Sequence, residues 1–352
     1  MLQKVISDKK FCWEGKDIKI DDINISLSEA AINAMRDFVE DNYTYYNEKN
    51  FGEESFRSKA LKLDIIKDEI DNLKEDYLIK GPGIVILNKI LPDKYISLDQ
   101  FDSNFNGSMD KWKNHKNKIK MAVAVISHHL GILQLQGAKN ENEKQRRVYV
   151  REIKDRGMSY KSGDEAHYSD TKHGGDYHTD GAERPFPIPR FVTLLCIRQS
   201  NLGGETIIKS IYPVHNNLLK NNIDLLKRLY ENYYWDRRGS NDKNETNVFE
   251  KPIFSYSESN DLVFTYLRKY IESGYLIKQK KMTAKDIDSL NILDKNIADE
   301  SLYLSLKLRP GNILINNNYF TIHGRPKSGF KDSNSDYNKK RLLIRTWIQD
   351  KV

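Results

Sequence analysis

With 352 residues, 38% of them hydrophobic and 30% charged, the chain has the balance of a soluble globular protein able to bury a sizeable core. No run approaches the roughly 18 apolar residues of a membrane helix, and the opening MLQKVISDKK has no apolar stretch of the kind a secretory signal carries, so neither is expected. The formal charge of +7 comes from lysines scattered through Asn- and Lys-rich segments and not gathered beside an aromatic platform, so a solvated surface is expected and nucleic-acid binding is not.

In chain order the pattern reads helices first and strands second. Residues 27–49 open on serines suited to capping and carry apolar positions at helical spacing. Residues 55–76 repeat that pattern with Leu63, Ile66, Ile70 and Leu73, and a third helix is expected over 109–133, ending near Gly131. Thereafter RRVYVREI, RFVTLLCIR, GETIIKS, GNILINN and RLLIRTWI read as strands, each rich in β-branched residues and bounded by Gly, Pro or Asn. A further helix is expected over 214–234 between them. The order fits an α+β fold: a double-stranded β-helix, or jelly roll, flanked by helices. We expect a single domain over 1–352, with a helical region over 1–80, a catalytic core over 81–352 and a helical insert and lid around 214–300. Cys12 and Cys196 are the only cysteines. Cys196 lies in the apolar run FVTLLCI and reads as a buried thiol, and a reducing, cytoplasmic setting is expected.

The chemistry concentrates in two places. In GGDYHTDGAE, His178 and Asp180 stand two apart, so on an extended segment both side chains point the same way while Thr179 faces the other. His323, 145 residues later in FTIHGRP, supplies a second imidazole once a sheet brings the segments together. Two imidazoles and one carboxylate on one face of an octahedral ion leave three positions open, the ligand set of non-haem Fe(II) oxygenases. Downstream, Arg341 and Arg345 share one face of KKRLLIRTWI with Leu343, while Leu342, Ile344 and Thr346 take the other. Guanidiniums on an interior face call for anionic partners held in bidentate pairs, such as the distal carboxylate of 2-oxoglutarate. Among the other histidines, His128 and His129 are adjacent on a helix and read as packing or surface residues. His167 and His173 lie in the polar loop before the triplet, and His215 has no motif around it.

The segments from Gly81 through YHTDGAERPFPIPRFVTLLCIRQSNLGGETIIKS and LRPGNILINNNYFTIHGRP to KKRLLIRTWI resemble the Fe(II)/2-oxoglutarate dioxygenases of the taurine dioxygenase and clavaminate synthase-like family. Within it the likeness is to free amino-acid hydroxylases of the arginine, lysine and asparagine type, and it covers about three quarters of the chain. The resemblance implies iron on His178, Asp180 and His323, with Thr206 of the GGET turn at the metal-proximal end of 2-oxoglutarate and Arg341 on its distal carboxylate. It places Arg345 on the substrate α-carboxylate, and Gln134 or Gln136 near the substrate amino group, with the choice between the two left open. Family members cover the substrate with a lid, and the comparable region here offers Glu258, Asp261 and Glu272, without the close Asp-x-Asp pair of the arginine hydroxylases. The interval from His323 to Arg341 is 18 residues, a few more than usual, with a polar insert between them, which a loop tolerates.

The function expected is therefore Fe(II)- and 2-oxoglutarate-dependent hydroxylation of a free L-amino acid by O2, releasing succinate and CO2, with a basic amino acid as the expected class. An intact Asp180 favours hydroxylation or desaturation over halogenation, since related halogenases replace that carboxylate with a small residue. The alternatives are the same chemistry on a carrier-bound amino acid or another natural-product carboxylate, and a non-catalytic jelly roll that binds a small acid.

Overall fold

The computed structural model describes residues 5, 8, 10–92, 95, 109–137, 147–157, 168–175, 177–240, 246–332 and 340–350. His167 and residues 333–339 of the polar insert between His323 and Arg341 lie outside them. After β1 (Asn24–Ile25) the chain enters α1 (Glu29–Asn42), where Ser28 accepts a hydrogen bond from Ala31 N and so satisfies a donor left open at the helix start. The apolar pattern over 55–76 belongs to two helices, α2 (Glu54–Ala60) and α3 (Asp64–Leu73). The chain turns between them at 61–63, so Phe56 and Ala60 as well as Ile66, Ile70 and Leu73 reach one core. Beyond β2 (Ile84–Leu87), α4 (Met109–Leu130) ends before Gly131 as its sequence indicates.

Then follow β3 (Ile132–Gln134), β4 (Val150–Ile153), β5 (Phe191–Arg198), β6 (Leu202–Gly203) and β7 (Thr206–Ser210). The expected helix over 214–234 is two helices, α5 (Tyr212–Asn221) and α6 (Ile223–Leu229), and the aromatic end of that segment instead forms β8 (Tyr233–Asp236). Two short hairpins continue the insert, β8 with β9 (Val248–Lys251) and β10 (Phe254–Tyr256) with β11 (Leu262–Phe264), before α7 (Arg268–Ile277) and α8 (Ala284–Ile297). The last strands are β12 (Leu304–Leu306), β13 (Ile313–Asn317), β14 (Thr321–Gly324), β15 (Phe330–Lys331) and β16 (Leu342–Gln349).

The large sheet runs β1-β2-β13-β5-β16-β3, with β4 also on β16, and is antiparallel except where β1 meets β2. A smaller sheet, β12-β7-β14, faces it. Side chains alternate between the two faces of each strand, and burial follows that period. Leu194, Cys196, Leu314 and Leu343 meet Ile208, Leu304 and Leu306 between the sheets, whereas Leu195, Ile197, Ile313, Ile344 and Ile348 face outward onto α1 to α4. Full burial of each such side chain stabilises by about 1.5–3 kcal/mol. A third core, built by the insert from Ile211 to Ile297, packs Trp235, Phe254, Phe264, Tyr270 and Leu290 against Ile322 of β14. This is a jelly-roll core with helices outside, and the insert closes over one end of the smaller sheet.

Candidate active site

His178 and His323 meet as one antiparallel bridge that prolongs the smaller sheet: His178 N donates to His323 O at 2.9 Å and His323 N to His178 O at 3.0 Å. That pairing sets the imidazole centroids 4.6 Å apart. Thr179 does face the other way, where its hydroxyl accepts from Tyr266 N, so the i, i+2 geometry returns Asp180 to the histidine side. Asn318, in the turn between β13 and β14, fixes the Asp180 backbone, accepting from Asp180 N at 2.9 Å and donating to Asp180 O at 3.0 Å. Gly181 follows at φ 75, and a Cβ there would sit 2.5 Å from Pro189 Cδ, so glycine alone lets the chain turn away directly behind the carboxylate.

One donor atom from each of His178, Asp180 and His323 lies within 4.8 Å of the others, and all three residues are buried. Asp180 Oδ1 accepts from Arg345 Nη1 at 2.6 Å, while Oδ2 is buried near the Trp347 indole, has no hydrogen bond of full geometry among the described residues and lies 3.7 Å from His323 Nε2. Burial opposes ionisation of Asp180, but Arg345 and the two imidazoles outweigh it and hold the carboxyl below its usual range. Burial, with His178 beside it, pushes the His323 pKa down to about 3, so its imidazole is the neutral form that ligates metal. An orphaned carboxylate oxygen beside the His178 and His323 imidazoles is what a divalent cation would complete, and the N,N,O donor set fits iron.

Two cavities meet at His178 and Arg345. The first is lined by Thr206, His323, Arg325, Arg341 and Leu343, with Ile153 and Leu194 below. Arg341 is aimed into it by Gln199, whose Oε1 accepts from Nε at 3.1 Å, and by Gly204 O, which accepts from Nη2 at 3.2 Å. Gly204 has φ 77, and a Cβ there would lie 2.7 Å from Gln199 Oε1 and 3.0 Å from Arg341 Nε, so the GG turn admits the guanidinium because it has no side chain. Arg325 donates to the carbonyls of Thr171 and His173, tying the loop before the triplet to β14. Among the described residues, three guanidiniums and no carboxylate line this cavity.

The second cavity is lined by Arg151, Asp180, Glu183, Leu267, Tyr270 and Trp347, among others. Arg345 reaches it between Gln136, whose Oε1 accepts from Nε at 2.8 Å, and Asp180, and its Nη2 makes no hydrogen bond among the described residues. Arg151 lies directly opposite Arg345 in the β4–β16 register and donates to Asp170 Oδ2 at 2.8 Å.

The other expected substrate residues lie elsewhere. Gln134 donates to Gln349 across the sheet edge. Gln136 is buried, and its amide is taken up by the carbonyls of Tyr149 and Arg345 as well as the Arg345 side chain, so it positions Arg345. Glu258 is exposed at the tip of the β10–β11 hairpin, Asp261 pairs with Arg190 at 3.1 Å, and Glu272 pairs with Arg268 on the outer face of α7. The acidic turn thus belongs to the outside of the insert, whose inner side offers Leu267 and Tyr270. His128 and His215 are packing residues, bonded to Phe51 O and the Tyr230 hydroxyl, His129 is buried on α4, and His173 is exposed. Sequence reasoning passed over Asn318, Gln199, Arg151 and Glu183. The run of three asparagines between apolar strands and the arginine inside VYVREI were the available signals.

Residues 121–347, well over half the chain, match the family described as "Taurine catabolism dioxygenase TauD, TfdA family". The chain belongs to that family. Its members are iron- and 2-oxoglutarate-dependent dioxygenases, and the His-Asp-His cluster and the cationic cavity lie inside the matched span. Among curated relatives, FR-33289 synthase from Streptomyces rubellomurinus is 24% identical over 230 residues, 65% of this chain and 63% of that protein. The taurine hydroxylase-like protein SAT17 from Stachybotrys chartarum is 24% identical over 184 residues, 50% of this chain and 43% of that protein. The chain thus matches less than two thirds of the length of either relative. An asparagine oxygenase solved with Fe(II), 2S,3S-3-hydroxyasparagine and succinate superposes at a TM-score of 0.62 and 16% identity, with 93% of both chains covered. The non-heme iron oxygenase OrfP with Fe and alpha-ketoglutaric acid gives 0.62 and 15%, covering 93% of this chain and 94% of that one. At such identities these structures speak to the fold. No helix among the described residues is long and apolar enough to cross a membrane.

Proposed function

We propose that the protein is an Fe(II)- and 2-oxoglutarate-dependent hydroxylase of an amine-bearing carboxylic acid, with a free L-amino acid as the leading class. The observation that carries this reading is the junction at His178: a buried His-Asp-His cluster opening on one side into a cavity lined by Arg325, Arg341 and Arg345 and, among the described residues, by no carboxylate. Such a cavity suits a small dianion, and 2-oxoglutarate is one. His178, Asp180 and His323 would hold iron, which with 2-oxoglutarate and O2 supplies the oxidising power to hydroxylate a C–H bond as succinate and CO2 leave.

The chain's own residues divide the remaining work. Arg341, preset by Gln199 and Gly204 O, grips the distal carboxylate of the co-substrate, and Thr206 meets its other end. Arg345 orients Asp180 through Oδ1, leaves Oδ2 for the metal and offers Nη2 to the substrate carboxylate. Leu267, Tyr270 and Trp347 cover the second cavity and keep water from it. Succinate release under air with ferrous iron and 2-oxoglutarate, scored against the twenty L-amino acids, tests the proposal. Stimulation by at least one amino acid, abolished by a chelator, is expected. Stimulation by none, with tight binding of 2-oxoglutarate retained, would leave a carrier-bound or other carboxylate as the substrate.

A further inference from the structure

Glu183 lines the second cavity three residues beyond Asp180, is 4% exposed, and makes no side-chain hydrogen bond or ion pair among the described residues. A buried carboxylate is costly without a counter-charge. Lys251 and Arg184 feel its charge through space, but none of the nearby cations described next forms an ion pair with it. Arg151 and Arg156 share Asp170, Arg345 is held between Asp180 and Gln136, and Lys251 Nζ donates to the carbonyls of Ala182 and Arg184. Arg184 itself donates to Leu135 O with its guanidinium 4.7 Å from the Trp347 ring. The acids of the insert's outer face point to solvent or to surface arginines, and the Gln136 amide is saturated. Glu183 is therefore the carboxylate of this cavity, besides the proposed ligand Asp180, that stands ready for a positive group brought from outside.

We propose that Glu183 receives a cationic nitrogen of the substrate, an ammonium or guanidinium, while Arg345 holds its carboxylate. This rests on the hydroxylase reading above and names the substrate class as a zwitterion or cation. The carboxylate and the bound nitrogen then fix the substrate at two points, one on β16 and one on the turn after Asp180, which presents the carbons between them toward the His178 side of the cavity. The same chemistry serves an α-ammonium or a cationic side chain.

Anaerobic equilibrium binding, with ferrous iron and 2-oxoglutarate present, separates the possibilities. The probes are the twenty L-amino acids, the 2-hydroxy acid of each tight binder, and norleucine beside lysine, against wild type, Glu183→Gln and Glu183→Asp. Loss of a charge-assisted pair in a buried site predicts that Glu183→Gln weakens the cationic ligand by about tenfold to a hundredfold, with partial recovery in Glu183→Asp. 2-Oxoglutarate affinity should stay within about twofold, since its cavity does not include Glu183. A wild-type preference for amino over hydroxy acid that vanishes in Glu183→Gln assigns the α-ammonium, and a lysine-over-norleucine preference that vanishes assigns the side chain. Unchanged affinity and preference in Glu183→Gln would overturn the proposal. So would a wild type that binds 2-oxoglutarate but no amino acid, with the oxygenase reading left standing. Failure to bind 2-oxoglutarate at all would sink both.

Discussion

The two cavities that meet at His178 and Arg345 are built by the same strand and differ in charge. The first draws Arg341 from just before β16, Arg325 from just after β14 and Arg345 from their shared wall and, among the described residues, contains no carboxylate, whereas the second sets Arg151 and Arg345 against Asp180 and Glu183. A wall of one sign attracts one kind of ligand, a small dianion, and tolerates little else. A wall of mixed sign selects a ligand whose own charges are separated to match. The four-residue step from Arg341 to Arg345 along one strand face leaves Arg341 in the first chamber alone and sets Arg345 at the wall the two chambers share, so the proposed division of labour follows β periodicity.

The contrast is most severely tested at the cluster both chambers share. Asp180→Ala should abolish iron binding and turnover, read as iron stoichiometry and succinate release. It should also lower the stability of the metal-free protein by about 3 kcal/mol, because Arg345 loses its buried partner. Retained iron at one per chain would show that the ligands are elsewhere. A smaller, directional effect separates the arginines. Arg341→Ala should raise the KM for 2-oxoglutarate about tenfold or more, from a loss of about 1.5–3 kcal/mol, with the amino-acid KM little changed. Arg345→Ala should raise the amino-acid KM instead and lower iron affinity through the freed Asp180 carboxylate. Equal effects of the two on 2-oxoglutarate alone would erase the division.

The smallest effect lies outside both chambers. Burial in the third core lowers the His215 pKa from 6.5 to about 4. A depressed folded-state value means the contribution is fully present above pH 6.5 and is lost as pH falls through that window toward 4, by up to about 3 kcal/mol. His215→Phe should therefore lose less stability than wild type between pH 7 and pH 4 in thermal melts, with 2-oxoglutarate affinity at pH 7 unchanged. Parallel pH curves for the two proteins would refute this.

Much of this was legible in the residues. His178, Asp180 and His323 come together because an extended H-x-D places both side chains on one side, and the alternation of β16 sorts Arg341, Leu343 and Arg345 from Ile344 and Ile348 as read. The boundaries of the second helical region, the split of α5 from α6 and the hairpins after it were not legible. Apolar spacing continues across a helix break, and short aromatic strands such as YYWD carry no period of their own. Nor was the placement of Glu258, Asp261 and Glu272, because a charge on an inserted segment gives no sign of which side of the insert it occupies.

By itself the sequence determined the donor types of the His-Asp-His cluster, their spacing and the strand face on which the arginines lie, because these depend on local periodicity and side-chain chemistry. Only the tertiary structure decided which carboxylate faces the second chamber and which amides serve as supports. Glu183 stands unpaired because Arg151, Arg345 and Lys251 are each held by partners distant in sequence, and Gln136 is a support because Arg345 arrives beside it from 209 residues away. Pairing of buried charges is settled by which groups the fold brings within hydrogen-bond reach, and no local pattern records that.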